Sequence, residues 1–148
     1  MTASGIHETD KPYVFKYRGA GETNAVPPQV PFSAELLPEE GHPRRRLADW
    51  VTHTENRAFA RATVNRVWAL MFGRPLVTPV DQIPLQATTD KPFPPGLETL
   101  ADDFIANNYD LRRLIRVIAA TRVFQLYSEG AEPPTDQHDA HWAAFGIT

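Results

Sequence analysis

The hydrophobic positions of the chain recur at helical spacing in four stretches. In the first, RRRLADWVTH, Leu47, Trp50 and Val51 fall three and four positions apart. This spacing places the three side chains on one face of a helix. We expect that helix to begin near Pro43, because proline suits the first turn of a helix.

The second stretch contains ARATVNRVWALMFGR, residues 60–74, and predicts the longest helix of the chain. We expect it to begin between Thr54 and Asn56 and to end at Phe72, because Gly73 can adopt the left-handed conformation that stops a helix. Its inward stripe is predicted to hold Phe59, Ala62 or Thr63, Arg66 or Val67, Leu70 and Met71, widened by Val64, Trp68 and Phe72.

Two further helices are predicted toward the C-terminus. The stretch GLETLADDFIANN carries one apolar face, which consists of Leu97, Leu100, Ala101, Phe104 and Ile105. Asn107 and Asn108 at its end suit a left-handed helix terminus. Asp110 then suits the N-cap of a fourth helix, LRRLIRVIAATR. Its inward residues are predicted to be Leu111, Leu114, Ile115 and Ile118, and its outward residues Arg112, Arg113 and Arg116.

Proline-rich segments separate these helices. Residues 25–43 contain five prolines and residues 75–96 contain six, so neither segment can be helical for long. YVFKYR at 13–18 alternates like a short strand but has no clear partner strand. The predicted fold is therefore mainly α, with about four principal helices laced by long Pro-rich extended segments and little or no sheet.

The same patterns divide the chain into four parts. We expect a flexible N-terminal segment at 1–12 and an extended Pro-rich segment at 13–42. A helical core domain should occupy 43–127, followed by a polar tail at 128–148. No run approaches the ~18 apolar residues that a membrane helix needs, and the N-terminus lacks the charged and apolar regions of a signal peptide.

Charge is distributed in blocks. The net charge of −3 disfavours generic nucleic-acid binding. Residues 41–76 hold seven Arg and two acids (+5), residues 77–110 one Lys and six acids (−5), and residues 111–127 four Arg and no acid (+4). Because arginine pairs with carboxylates in a fixed fork geometry, we expect these blocks to neutralise one another within the fold.

Known catalytic and cofactor motifs are absent from the sequence. There is no cysteine, which excludes thiolate metal sites and a c-type haem attachment within this chain. His138 and His141 are three residues apart and could share a metal, but no third ligand is evident, and a solvated tail is the favoured interpretation. The last two helices could form a helix-turn-helix, although the part that would enter the DNA groove, LRRLIRVI, lacks the Ser, Thr, Asn or Gln that reads base edges.

Asn65 and Arg66 stand out because they interrupt an apolar helix. At least one of them should face neighbouring residues, and a buried Arg must be paired, with Asp49 and Asp81 as the natural partners. Asn65 could hold the backbone of a Pro-rich segment, which has no regular hydrogen-bond ladder of its own. The alternative is a ligand-facing patch framed by Trp50 and Trp68.

Five blocks of the sequence resemble a known family. They are RRRLADWVTHTENRAFARATVNRVWALMFGR, PVDQIP, PFPPGLETLADDFI, YDLRRLIRVI and VFQLYS, and they span residues 44–128. In order and spacing they resemble a planctomycete-type domain of unknown function, found at the C-terminal side of large proteins with cytochrome-c-like modules. Members are longer, so the tail of this chain is expected to be truncated relative to the family.

The resemblance implies an exported, periplasmic or cell-surface setting, often associated with breakdown of polysaccharides or sulfate esters. Haem is implied only for an upstream module, and no cofactor is implied for this chain. No activity of the family is established, so no catalytic residue is carried over. Its signature positions include a candidate polar set that forms either a structural cluster or a ligand patch: Arg46, Asp49, Trp50, Arg61, Asn65, Arg66, Trp68, Arg74, Asp81, Asp110 and Arg116.

Three functions are consistent with these features. The favoured hypothesis is a non-catalytic structural or interaction module that contacts the remainder of its parent polypeptide or a co-expressed protein. The second is a carbohydrate-binding or enzyme-associated domain that engages an anionic polysaccharide through Trp50, Trp68 and arginines. Helix-turn-helix DNA binding is the weakest of the three, and for this chain alone an enzymatic role is disfavoured.

Overall fold

The computed structural model describes residues 11, 13–15, 24–125 and 135. Within them the chain forms four α-helices: α1 (Pro43–Val51), α2 (Arg57–Phe72), α3 (Pro95–Ala106) and α4 (Leu111–Ala119). The mainly α prediction is therefore confirmed, and each helix begins within a few residues of its expected position. Among the described residues, no helix is both long enough and apolar enough to span a membrane.

In the part of the chain that the structure describes, β-structure is limited to two short strands and an isolated bridge between Thr88 and Lys91. Strand β1 (Val14–Phe15) pairs in antiparallel fashion with β2 (Asn24–Ala25), with Val14 opposite Ala25. The sequence indicated a strand at β1 but no partner, so β2 is a finding of the structure. A single 3₁₀ turn (Ala34–Leu36) precedes α1 in the Pro-rich segment.

The helix ends follow the expected capping chemistry with one exception. Gly73 terminates α2 at φ 71°, the left-handed conformation that glycine adopts without steric cost. Asp110 Oδ1 accepts a 3.0 Å hydrogen bond from the Arg113 amide and so caps α4. Between α3 and α4, Asn108 is left-handed as predicted, but the second left-handed residue is Tyr109, and Asn107 is not.

The core lies between α2, α3 and α4. Helix α2 makes its most extensive contact with α3, and α4 packs against both. The buried side chains form one cluster: Ala60, Val64, Trp68, Phe72, Leu97, Leu100, Ala101, Phe104, Leu114 and Ile118. The face predicted for α3 is the face it buries, with Ile105 only partly covered.

The inward stripe predicted for α2 was correct only in part, because it joined the buried Val64, Trp68 and Phe72 to residues of the outer face. The buried face is Ala60, Val64, Trp68 and Phe72, whereas Phe59 is 37% exposed and Leu70 is 81% exposed. Residues 59, 66 and 70 share the opposite face, since each residue rotates the helix by about 100°. Helix α2 carries apolar residues almost all round, so periodicity alone did not choose the side that α3 would cover.

Two other helices bury less than expected. In α1 only Trp50 is buried, and Leu47, which was predicted inward, is exposed. In α4 the core takes Leu114 and Ile118, whereas Leu111 and Ile115 remain 47% and 43% exposed. The cause is geometric, because the contacts with α2 and α3 cover only part of the wide apolar stripe of α4.

Candidate functional site

Asn65 is the most completely enclosed polar side chain among the described residues. It projects from α2 toward the loop 73–94, and its Nδ2 donates to the carbonyl oxygens of Val77 (2.9 Å) and Val80 (3.3 Å). In return, its Oδ1 accepts the backbone amide of Val77 at 2.9 Å. The Asn65 side chain thus hydrogen-bonds the backbone of a loop that has no regular hydrogen-bond ladder of its own, as the sequence indicated. These bonds hold the loop against α2.

Arg66 behaves differently from its neighbour. It forms an ion pair with Asp81 of the same loop, one of the two partners that the sequence suggested, but the Arg66 side chain is 65% exposed and not buried. Asp49, the other predicted partner, lies instead beside Arg45 one turn earlier in α1, at 3.0 Å. An exposed pair of this kind adds little stability, because water screens it and two long side chains lose freedom.

A stronger ionic cluster joins α2 to α3 around Glu98. Arg61 donates to both carboxylate oxygens of Glu98, from Nε at 2.7 Å and from Nη2 at 3.2 Å. Arg57 donates to the same carboxylate at 2.9 Å and also pairs with Asp102. The Arg61 guanidinium stacks 4.4 Å from the centre of the Phe93 ring. With Arg61 only 13% exposed, this two-pronged contact is well shielded.

A second ionic contact joins α3 to α4. Arg113 donates to Asp103 from Nη2 at 2.7 Å and from Nε at 3.0 Å. These hydrogen bonds from Arg113 hold the pKa of the Asp103 carboxyl below its ordinary value of 3.8, and they outweigh the opposing effect of burial. Asp103 therefore stays ionised to lower pH in the folded chain.

These contacts confirm the predicted neutralisation between charge blocks. With the exception of Arg45–Asp49, every ion pair described above joins a basic block to the acidic block. The arginine belongs to residues 41–76 or 111–127, and the carboxylate belongs to residues 77–110. Two further contacts tie α1 to the Pro-rich segment, since Arg46 donates to the carbonyl of Pro38 and Trp50 donates to that of Ser33 at 3.1 Å. The arginines thus brace irregular chain segments and helix pairs.

Neither tryptophan of the proposed ligand patch is available to a ligand. Trp68 is buried in the core and stacks on Phe72 with ring centres 4.2 Å apart. Trp50 is buried beside Phe32, 4.9 Å away. A sugar platform requires an exposed aromatic face, so the position of these rings removes the role that the carbohydrate hypothesis gave them.

A groove lies on the outward face of α2. Its volume is about 590 Å³, and it runs between the helix, the loop 80–84 and the start of α4. Phe59, Leu70 and Leu111 supply much of its apolar wall, and the Arg66–Asp81 pair lies at its edge. Trp68 and Arg74 are not among its lining residues, so it is not the tryptophan-lined pocket that the carbohydrate hypothesis required.

The candidate polar set is therefore dispersed across several contacts. The loop 73–94 is contacted by Asn65 and Arg66 and contains Asp81. Arg61 faces α3, where it pairs with Glu98. The Pro-rich segment before α1 is contacted by Arg46 and Trp50, and Asp110 caps α4. Arg74 is exposed after α2, and Arg116 is exposed with its Nε 3.4 Å from the Arg112 carbonyl. Asp49 pairs with Arg45 of its own helix, α1.

Sequence reasoning missed the acidic partners on α3, Glu98 and Asp103, together with Arg57 and Arg113. The signal was the alternation of charged blocks, which predicted pairing but named no partners. The histidine pair His138 and His141 lies outside the described residues. Within the part that is described, no three His, Cys, Asp or Glu side chains converge in a group that could hold a metal ion.

The fold and these contacts define a small helical domain whose signature polar residues chiefly hold its own chain together. Residues 43–146 match the model of the PSD1 family, described as "Protein of unknown function (DUF1553)". The match covers more than half of the chain, which therefore belongs to this family. Comparison with curated proteins and with solved structures gave no match.

Proposed function

We propose that the chain is a non-catalytic structural or interaction module of a larger exported, haem-linked bacterial protein. The observation that carries this proposal is that polar side chains at signature positions form their hydrogen bonds within the chain. Asn65 bonds the loop backbone, Arg61 bonds Glu98 on both oxygens, and Asp110 caps α4. Groups whose hydrogen bonds are made within the chain contribute to stability and leave less capacity for holding a ligand.

The larger setting is supported by the family resemblance. The quoted blocks resemble domains that lie on the C-terminal side of proteins with cytochrome-c-like modules, and the family match extends over residues 43–146. In that setting haem belongs to an upstream module. The partners of this chain are the remainder of the parent polypeptide or a co-expressed protein.

The test combines a ligand screen with stability measurements on the purified chain. Sulfated polysaccharides are titrated against the wild type, Arg66→Gln and Arg45→Gln, while unfolding in urea is followed for each. We expect no saturable binding and no turnover by any of them. Saturable binding that Arg66→Gln abolishes and Arg45→Gln retains, at unchanged stability, would establish the polysaccharide function instead.

The same preparation tests the DNA alternative. Helix α4 would have to be the recognition helix, but Asp103 holds Arg113, and the apolar Leu111 and Ile115 lie exposed. We expect the affinity for duplex DNA to be undetectable at physiological salt. Binding that persists there and depends on Arg112 and Arg116 would overturn the structural proposal, because nonspecific contacts weaken steeply with salt.

A further inference from the structure

The outer face of α2 presents an apolar groove to solvent. Leu70 is 81% exposed and Phe59 is 37% exposed, and both line the groove of about 590 Å³. The inner face of the same helix is covered by α3 and α4. A helix with apolar residues on opposite faces is typical of one that is covered on both sides. The groove is therefore a candidate docking surface.

The shape of the groove fits a second helix. The loop 80–84 and Leu111 of α4 supply the part of its lining that does not come from α2. On α2 itself, Ala62 and Thr63 contribute short side chains, so another helix can approach closely. The stretch 59–70 extends over about 17 Å of the helix axis, which is about three turns.

Helix α4 adds positive charge beside this apolar surface. Leu111 lines the groove, and Ile115, about one turn further along, is 43% exposed on the same side of the helix. Arg112 and Arg116 each follow one of these residues around the helix, by about 100°. Both arginines are exposed, and neither forms an ion pair within the part of the chain that the structure describes.

The carboxylates near these arginines have other partners. Asp110 caps α4, and Asp103 is bonded to Arg113. Arg66, which also lines the groove, is paired with Asp81. Among the described residues, the charge left unpaired beside the groove is therefore positive.

This charge distinguishes between possible occupants. A second copy of the chain would bring the same arginines to the contact from both sides, and like charges at an interface are unfavourable. A partner that carries carboxylates would instead compensate Arg112 and Arg116. Helices that dock in apolar grooves use apolar residues three and four positions apart, which matches the length and shape described above.

We infer that the outer groove of α2 binds an acidic amphipathic helix supplied from outside this chain. The apolar side of that helix contacts Phe59, Leu70 and Leu111, and Asp or Glu residues on its flank pair with Arg112 and Arg116. This inference rests on the proposed interaction role, and it names the surface that performs the role and the chemistry of the partner.

The experiment selects ligands for the full chain from a displayed library of random peptides about 16 residues long, or about four helical turns. We expect the enriched sequences to carry apolar residues three and four positions apart and more Asp and Glu than Lys and Arg. The Kd of a labelled selected peptide is then measured by fluorescence anisotropy. Circular dichroism should show that the peptide gains helix on binding.

Matched variants locate the contact. Leu70→Ser should raise the Kd of that peptide by about tenfold or more, because burial of a leucine side chain contributes to binding. Leu47→Ser changes an exposed leucine of α1 outside the groove and should alter the Kd by less than about twofold. Arg112→Gln should raise the Kd about twofold to fivefold at low salt and less at high salt, whereas Arg45→Gln, an equal loss of charge on α1, should not. Urea unfolding verifies that the variants fold.

Three outcomes would overturn the inference. The first is a selection that yields no sequence whose binding depends on Leu70. The second is enrichment of basic or uncharged peptides at the groove. The third is a dimer in analytical ultracentrifugation that Leu70→Ser dissociates, because it would assign the groove to a second copy. The pattern of sequences selected by the wild-type chain is decisive even where a variant fails to fold.

These outcomes are separate from those of the polysaccharide screen. Absence of groove-dependent peptides would leave the structural role of the chain intact. Saturable polysaccharide binding would overturn the proposed function and would leave the Kd values for the groove unchanged.

Discussion

The two faces of α2 have similar composition but different environments. The inner face, from Ala60 to Phe72, is almost completely buried against α3 and α4, while the outer face exposes Phe59 and Leu70. The large aromatic residue Trp68 lies on the inner side and stacks on Phe72. The difference teaches that burial in this domain is decided by which neighbour is present, since both sides of the helix offer apolar surface.

The adjacent polar residues repeat this contrast. Asn65 points inward, is fully buried and has backbone partners for both ends of its amide. Arg66 points outward, is mostly exposed and pairs with one carboxylate. A short amide can satisfy nearby backbone within the protein, whereas a long cation retains solvent at its charged end. Four predictions test how far the two sides differ.

The largest effect is expected from the inner apolar face. Trp68→Ala should lower the free energy of unfolding by about 3–5 kcal/mol, because it removes a buried aromatic and leaves a cavity in the core. Leu70→Ala is the matched change on the outer face and should cost less than about 0.5 kcal/mol. Urea unfolding of both variants measures the difference. Equal losses would contradict the assignment of inner and outer faces.

The inner polar position should rank next. Asn65→Ala should cost about 3 kcal/mol, since it leaves the part-buried Val77 amide and the Val77 and Val80 carbonyls without their side-chain partner. Arg66→Ala should cost less than about 1 kcal/mol. Hydrogen exchange should also show faster exchange at Val77 in the Asn65 variant alone. Unchanged protection at Val77 would mean that the loop is held by other contacts.

The two ion pairs of α2 on opposite sides can be compared by double-mutant cycles. Arg61→Met with Glu98→Gln should give a coupling of about 1 kcal/mol or more, because the pair is two-pronged and shielded. Arg66→Met with Asp81→Asn should give about 0–0.5 kcal/mol. Each cycle needs the two single variants and the double variant, measured by urea unfolding. If the effects of Arg61→Met and Glu98→Gln on the free energy of unfolding are additive, this pair does not brace α2 against α3.

The smallest effect is expected from the α3–α4 contact, through pH. Asp103 has a depressed pKa in the folded chain, so its contribution is present above the unfolded pKa of about 4 and is lost as pH falls through the folded value. Asp103→Asn should therefore reduce the loss of stability on acidification. Asp90→Asn, which removes an exposed carboxylate outside the ion pairs described above, is the control. If both variants lose the same amount of stability on acidification, Arg113 does not stabilise the ionised Asp103 carboxylate.

Much of the fold was readable in the sequence because local chemistry controls it. Pro43 and Asp110 mark helix starts, Gly73 marks a helix end, and proline keeps 75–94 irregular. These signals depend on backbone dihedral angles and on hydrogen bonds within a few residues. The role of Asn65 as an anchor for irregular backbone was also indicated, since a buried amide beside a Pro-rich segment has few other partners.

The tertiary structure decided which side of each helix is buried and which residues form ion pairs. Periodicity did not separate the inward side of α2 from the outward side, because residues on both sides are apolar and only contact with α3 distinguishes them. The charge blocks predicted pairing in bulk, but Glu98 and Asp103 became partners only when α3 packed against both α2 and α4. Contacts between residues far apart in sequence depend on this packing, which no local pattern encodes.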